Sequence, residues 1–198
     1  MNRSTTSALL PTERGSFEIF SFPVEGRPEA PPDVALLAMN SGMAATPLVR
    51  IHSECLTGDV FGSMRCDCGP QLEMALERIG HDGGLLIYLR QEGRGIGFHS
   101  KIMAYRHQDA GLDTVQANAE LGFEPDLRDY TAAVRILRHF GIASLRLLTN
   151  NPAKVEALKQ AGITVEQRLP LLVGRNPYND NYLSTKRDKL GHILPAFE

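Results

Sequence analysis

Apolar positions change texture along this chain, from short strand-sized runs in the first half to helix-spaced stripes in the second. Residues 17–24 (FEIFSFPV), 33–39 (DVALLAM) and 47–52 (PLVRIH) have strand composition, and residues 25–32 (EGRPEAPP) read as a Pro-rich surface loop between them. Leu72, Ala75, Leu76 and Ile79 recur at i, i+3, i+4 and i+7, which predicts a helix. Residues 84–89 (GLLIYL) form a continuous apolar run bounded by polar residues, the mark of a buried strand.

Beyond that point helix and strand alternate. In DYTAAVRILRHFG, Asp129 is placed to cap a helix, with Ala133, Val134, Leu137 and Phe140 on one face and Gly141 past the end. A strand follows at 144–149 (SLRLLT). The stretch NNPAKVEALKQAG then reads as a second helix, with an Asn cap, Pro152 in its first turn and Gly162 as terminator. Residues 163–169 (ITVEQRL) close as another strand, and the polar tail offers one more helix near 182–190. A β-rich start followed by βαβα units predicts an α+β (α/β-like) single domain, with a mixed sheet flanked by helices. Residues 1–15 read as a loose arm, residues 16–194 as the domain and residues 195–198 as a tail; no internal repeat or low-complexity tract interrupts them.

Composition narrows the class of function. A chain of 198 residues with 42% hydrophobic and 22% charged residues is ordinary for a soluble globular protein. The net charge of -2 gives no general pull toward nucleic acid or an anionic membrane, so any anion site must be built locally. No apolar run approaches the ~20 residues of a membrane span, and the first residues lack a secretory pattern. A cytoplasmic location is the expectation.

All three cysteines fall within residues 55–69 (CLTGDVFGSMRCDCG), in a C-x10-C-x-C pattern. Buried free cysteines are common as small hydrophobes, but the Asp, Arg, Gly and Ser neighbours here make a poor apolar pocket. A reducing compartment disfavours a disulfide, and a Cys66–Cys68 bridge would be strained. Zinc ligation by Cys55, Cys66 and Cys68 fits better, and three ligands leave a position for water, as catalytic sites require. His52 could instead close the site as a fourth ligand; as a lone His at a strand end it also reads as a polar or substrate-contacting residue. The H-x-E and P-C-x-x-C signature of the zinc nucleoside deaminases is absent.

Candidate anion-binding pieces follow. RQEGRGIGFHSK (90–101) comes directly after a predicted strand, with glycines that allow close backbone approach and a helix expected just beyond. It matches neither the P-loop nor the Rossmann spacing. Arg90 and Arg94 strengthen a phosphate reading, because guanidinium forks suit phosphate oxygens. FEPDLRDY (123–130) puts Asp126 and Arg128 ahead of a helix, and LLTNNPAK (147–154) adds a hydroxyl, a helix start and Lys154.

Taken together, RIHSECLTGDVFGSMRCDCG, QEGRGIG, DTVQAN, DLRDYT, LLTNNPAK and VGRNPYN resemble, in order, the motifs of GTP cyclohydrolase II, the first enzyme of riboflavin synthesis. The resemblance covers about residues 16–194. It implies a monofunctional, homodimeric enzyme that uses Zn2+ and Mg2+ to convert GTP and water to formate, pyrophosphate and a diaminopyrimidinone carrying ribosylamine phosphate. Carried over by motif, Cys55, Cys66 and Cys68 are the zinc ligands. Arg50, Ile51, His52, Ser53, Glu54, Gln71, Glu92, Gly93, Arg94, Thr114, Thr149 and Lys154 are GTP contacts. Asp126 is implied as proton acceptor, Arg128 as nucleophile at the α-phosphate, and Tyr105 as a tyrosine near the metal. A guanidinium stays protonated at neutral pH, so stabilisation of transition-state charge is at least as good a reading of Arg128. The chain departs from the family at Met103 (usually basic), at His107 (usually Leu) and in the less Leu-rich GFHSK. The alternative within the family is a paralog that retains the formyl group or feeds a secondary-metabolite pathway.

Overall fold

The computed structural model describes residues 5–24, 26–27, 29–40 and 43–196. Positions 1–4 of the expected arm, 25 and 28 of the expected Pro-rich loop and 197–198 of the expected tail lie outside the described residues. Seven strands form one mixed sheet: β1 (Thr6–Thr12), β2 (Gly15–Phe22), β3 (Asp33–Ala38), β4 (Leu48–Ser53), β5 (Leu85–Leu89), β6 (Ser144–Leu148) and β7 (Thr164–Leu169), in spatial order β1-β2-β3-β5-β4-β6-β7. The first half is an antiparallel meander, β1 through β3, which continues antiparallel onto β5. The second half is parallel: β5 on β4, β4 on β6 and β6 on β7. This is the mixed α+β sheet that the change of texture along the chain predicts.

Burial explains which strands read clearly. LVRIHS of β4 and LLIYL of β5 are buried almost throughout, because helices cover both faces of the parallel half. α2 (Cys68–Asp82) packs Ala75 and Ile79 on one face with Phe17, Leu48, Leu86 and Leu148. α5 (Thr131–His139) and α6 (Pro152–Gln160) cover the other face, where Ala133, Val134, Ile136, Leu137 and Leu158 meet Ile51, Ile87, Leu145 and Leu147. Four further elements join these: α1 (Leu56–Asp59), a 3-10 turn at Glu92–Gly95, α3 (Phe98–Asp109) and α4 (Thr114–Glu120). α7 (Asp180–Asp188) comes last, close to its expected position.

Two local expectations change. Residues 6–12 are not a loose arm but an edge strand pairing with β2 from Thr6↔Ser21 to Thr12↔Gly15. Its side chains are mostly exposed, and Pro11 is tolerated because an edge strand has N–H groups without ladder partners. Asp129 caps α5 from one residue further out than expected: its carboxylate accepts from the Thr131 N–H, while Tyr130 occupies the cap position.

Candidate active site

Ligands of open parallel sheets gather beyond the carboxyl ends of the strands, where neighbouring connections leave in opposite directions. Here that point lies between β4 and β6. Their pairing stops at Val49↔Leu147, whereas β4 stays paired with β5 as far as Ser53↔Leu89. The buried Arg50 side chain fills the gap, donating from Nη1 to the Leu148 carbonyl (3.0 Å) and from Nη2 to Gln71 Oε1 (2.8 Å). Burial pulls its guanidinium down to about 10, which leaves it charged at neutral pH. Above it opens a cleft of about 1040 Å3, including its solvent-filled mouth.

The three cysteines meet in the wall of this cleft. Cys55 follows β4, Cys66 precedes α2 and Cys68 opens it, and their sulfurs all lie within 4.8 Å of one another. Cys55 Sγ and Cys66 Sγ are 3.7 Å apart. The chain makes room for this triangle by leaving out a side chain. A Cβ on Gly58, within α1, would stand 3.0 Å from Cys66 Sγ and 3.2 Å from Cys55 Sγ. A Cβ on Gly69 would in turn strike the Gly58 carbonyl, so glycine at both positions lets α1 and α2 close around the thiols. Lys101 Nζ donates to Cys55 Sγ (3.1 Å) and to Glu92 Oε1 (2.8 Å). Hydrogen bonds from the other two thiols favour the Cys55 thiolate, while Cys66 is pushed up to about 12. Three clustered sulfurs able to share one proton-free charge beside a lysine make a donor set suited to a thiophilic cation.

His52 is not a fourth member. Its Nε2 lies 3.1 Å from both Asp59 carboxylate oxygens, and its ring stacks on Tyr88. Burial lowers its pKa, so the neutral ring donates from Nε2 and leaves Nδ1 toward Arg50 Nη2 (3.5 Å). Asp59 also accepts from the Cys55 N–H (2.9 Å) and from the Tyr88 hydroxyl (2.7 Å). His52 thus orients the loop that carries Cys55 and contributes no sulfur-side ligand.

Basic side chains also line the cleft. Lys154 Nζ is buried, donates to the Ile51 carbonyl (2.7 Å), and is held well below the usual lysine range by burial and then by Arg50, Arg128 and Lys186. Arg94 sits in the left-handed region (φ 60°), alone among the described non-glycine residues, between Gly93 and Gly95. Such a conformation costs about 1–2 kcal/mol for a side-chain-bearing residue. Its two terminal guanidinium nitrogens are buried without hydrogen-bond partners, over the ring of Tyr182 (5.7 Å). Strain and orphaned donors together point to a missing anion.

Arg128 reaches the same space and is clamped by Asp126, with Nε to Oδ1 at 2.8 Å and Nη2 to Oδ2 at 2.5 Å. Burial would raise the Asp126 carboxyl, but the Arg128 hydrogen bonds and charge outweigh it and hold it below the ordinary range. The same contact outweighs burial at Arg128 and keeps it protonated.

Of the residues carried over by motif, Arg50, His52, Ser53, Glu54, Gln71, Glu92, Gly93, Arg94, Thr114, Thr149 and Lys154 line the cleft, with Tyr105, Arg128 and the three cysteines. Ile51 is fully buried in the core and can present only backbone, and Asp126 stands behind Arg128. The Glu92 carboxylate is consumed within the protein by the Leu56 and Gly93 N–H groups (2.7 Å each) and by Lys101. Arg90 is not part of that lining and pairs with Glu54 (3.1 Å), which is. Tyr105 places its hydroxyl 3.2 Å from Thr57 Oγ1, itself 3.6 Å from Cys55 Sγ, and burial raises its pKa so that it stays a phenol.

Sequence reasoning misses Lys101, Gln108, Tyr182, Lys186 and His192, which also line the cleft. Four of these had a readable signal. Lys101, Ala104, Tyr105 and Gln108 recur at i, i+3, i+4 and i+7, a polar stripe on α3 facing the cleft. Tyr182 and Lys186 stand one turn apart on α7.

The sequence has counterparts among known proteins. The sequence profile of GTP cyclohydrolase II matches residues 2–170. The GTP cyclohydrolase-2 of Hahella chejuensis is 53% identical over 193 residues, 97% of this chain and 92% of that protein. The GTP cyclohydrolase-2 of Neisseria meningitidis is 51% identical, over 95% of this chain and 94% of that protein. A riboflavin biosynthesis protein of Vibrio vulnificus is 53% identical over 95% of this chain, but over only 51% of its own length. Matches of this extent, spanning the thiol cluster and the cationic cleft alike, make the chain a member of the GTP cyclohydrolase II family of enzymes.

Proposed function

We propose that this protein hydrolyses GTP, opening the imidazole ring at C8 and releasing formate and pyrophosphate, as the first step of riboflavin synthesis. The observation that carries the reading is the presence, in one cleft, of a three-thiol cluster and of buried basic groups without anionic partners. Guanine and triphosphate need those two chemistries at opposite ends of one ligand.

Cys55, Cys66 and Cys68 would hold the zinc; their spacing, and the side-chain-free floor at Gly58, suit a single ion. Zinc bound there supplies Lewis acidity and lowers the pKa of water toward ~7. Lys101 offsets thiolate charge, and the Tyr105 phenol is positioned to donate a hydrogen bond to oxygen developing charge near C8. Arg94, Arg128 and Lys154 hold the phosphate chain, and Arg128, kept protonated by Asp126, stabilises the charge that leaves with pyrophosphate. In its resting ion pair Asp126 is a weak base, so a role as proton acceptor requires substrate to draw Arg128 away first. No carboxylate cluster suited to Mg2+ occurs among the described residues, so Mg2+ would arrive with the triphosphate. A homodimer belongs to the same reading.

The test is product analysis. Zinc-loaded protein incubated with GTP should release formate and pyrophosphate in equal amounts. Pyrophosphate without formate would identify a paralog that keeps the formyl group, and neither product would refute the proposal.

A further inference from the structure

α7 and the turn after it carry no role in the reading above, yet they form one wall of the cleft. The segment is fixed at several points. Asn179, fully buried, accepts from the Asn176 N–H and donates to the Gly174 carbonyl; Lys189 pairs with Asp113; the Ile193 N–H donates to the Asn150 carbonyl (2.8 Å). Lys186 Nζ lies 2.8 and 3.0 Å from the Asp67 carboxylate oxygens, which ties this wall to the loop between Cys66 and Cys68. The His192 N–H donates to the Lys186 carbonyl (2.9 Å), which turns the imidazole into the cleft.

Nδ1 of His192 is buried and has no hydrogen-bond partner. The ionisable groups that act on it are Lys186, Arg128, Lys154 and Arg94, all basic. Two of the four are already neutralised, Lys186 by Asp67 and Arg128 by Asp126. The other two, Arg94 and Lys154, have no carboxylate partner among the ion pairs of the described residues. An imidazole nitrogen and a guanidinium, both orphaned and converging on one space, are buried polar groups that a bound anion would satisfy.

We propose that His192 is a further substrate-binding residue, whose Nδ1–H donates a hydrogen bond to a phosphate-chain oxygen seated among Arg94, Arg128 and Lys154. The identity of the ligand rests on the GTP reading; the anion site itself does not. The neutral Nδ1–H tautomer suffices, so no proton transfer is required. Burial and the surrounding cations push this imidazole down to about 2, which keeps it neutral in the free protein.

The experiment uses the zinc-loaded full chain with three probes: inorganic tripolyphosphate, guanosine and GTP. His192→Ala and His192→Gln should weaken tripolyphosphate about tenfold or more, the size of one charge-assisted hydrogen bond. His192→Asn, whose amide nitrogen falls near Nδ1, should recover most of that loss, and guanosine should bind all variants alike. With GTP the loss should fall on KM more than on kcat. Tripolyphosphate binding that is indifferent to Ala and Gln, or guanosine binding lost in parallel, would overturn the proposal. So would a wild type that binds no tripolyphosphate. A wild type that binds tripolyphosphate through His192 but releases nothing from GTP would leave this inference standing and remove the proposed function.

Discussion

Replacing Gly58 with alanine is a single-methyl probe of the thiol cluster. Gly58 lies inside α1 with φ outside the left-handed region, so alanine meets no backbone strain there. In a helix interior it would even gain roughly 0.5–1 kcal/mol over glycine. The new methyl would nevertheless stand 3.0 Å from Cys66 Sγ, 3.1 Å from Cys68 Cβ and 3.2 Å from Cys55 Sγ. Favourable contacts between such atoms begin near ~3.5 Å, and overpacking of this kind costs about 1–3 kcal/mol. Free thiols can move aside by a few tenths of an ångström and recover much of that; sulfurs fixed around an ion cannot. The strain should therefore fall on the metal-bound state, weakening zinc affinity about 5- to 150-fold while the metal-free protein changes little. Competition with a chromogenic chelator gives the affinity, and thermal unfolding with and without zinc separates the two states. Wild-type zinc affinity in Gly58→Ala would refute the assignment of this triangle as the ion's seat.

Three further outcomes follow from the cleft. Tyr105→Phe keeps the ring beside Arg65 and removes the hydroxyl near Thr57, so formate release should fall about 100-fold with zinc content retained; an unchanged rate would leave Tyr105 a packing residue. Lys186→Met leaves Asp67 buried without its cation and should cost about 3–5 kcal/mol in chemical denaturation, with part restored by adding Asp67→Asn; a midpoint equal to wild type would contradict the buried pair. Lys154 has a folded pKa well below its ordinary 10.5, so between those values the unfolded chain holds the extra proton, and stability of the free protein falls as pH drops through that window. A bound polyanion restores that proton; calorimetry in buffers of different ionisation enthalpy should therefore show more proton uptake on pyrophosphate binding by wild type than by Lys154→Met, and equal uptake would count against it.

Much of this arrangement was legible in order along the chain. Strand composition at 47–52 and the apolar run at 84–89 marked β4 and β5, strands that helices cover on both faces. β1 was invisible for the opposite reason: an exposed edge strand containing Pro11 needs no apolar alternation. The thiol cluster could be read from spacing, since its ligands lie within residues 55–68 on adjoining short elements. The basic lining could not be assembled that way. Arg94, Arg128, Lys154 and His192 come from four separate stretches, and only the folded chain brings them to one cleft. Asp59 also gave no sign, because its work is done through His52, Cys55 and Tyr88 rather than on a ligand.

The central claim is that the thiols and the cations act on opposite ends of one GTP. Following formate and pyrophosphate over time from Cys66→Ser and Arg128→Ala, both first shown to fold and to bind GTP, tests it most directly. Cys66→Ser should lose formate release more completely than pyrophosphate release. Arg128→Ala should lose pyrophosphate by about 100-fold or more, with formate following only if phosphate cleavage comes first. Strictly parallel loss of both products in both variants would contradict the claim and indicate coupled chemistry at one centre.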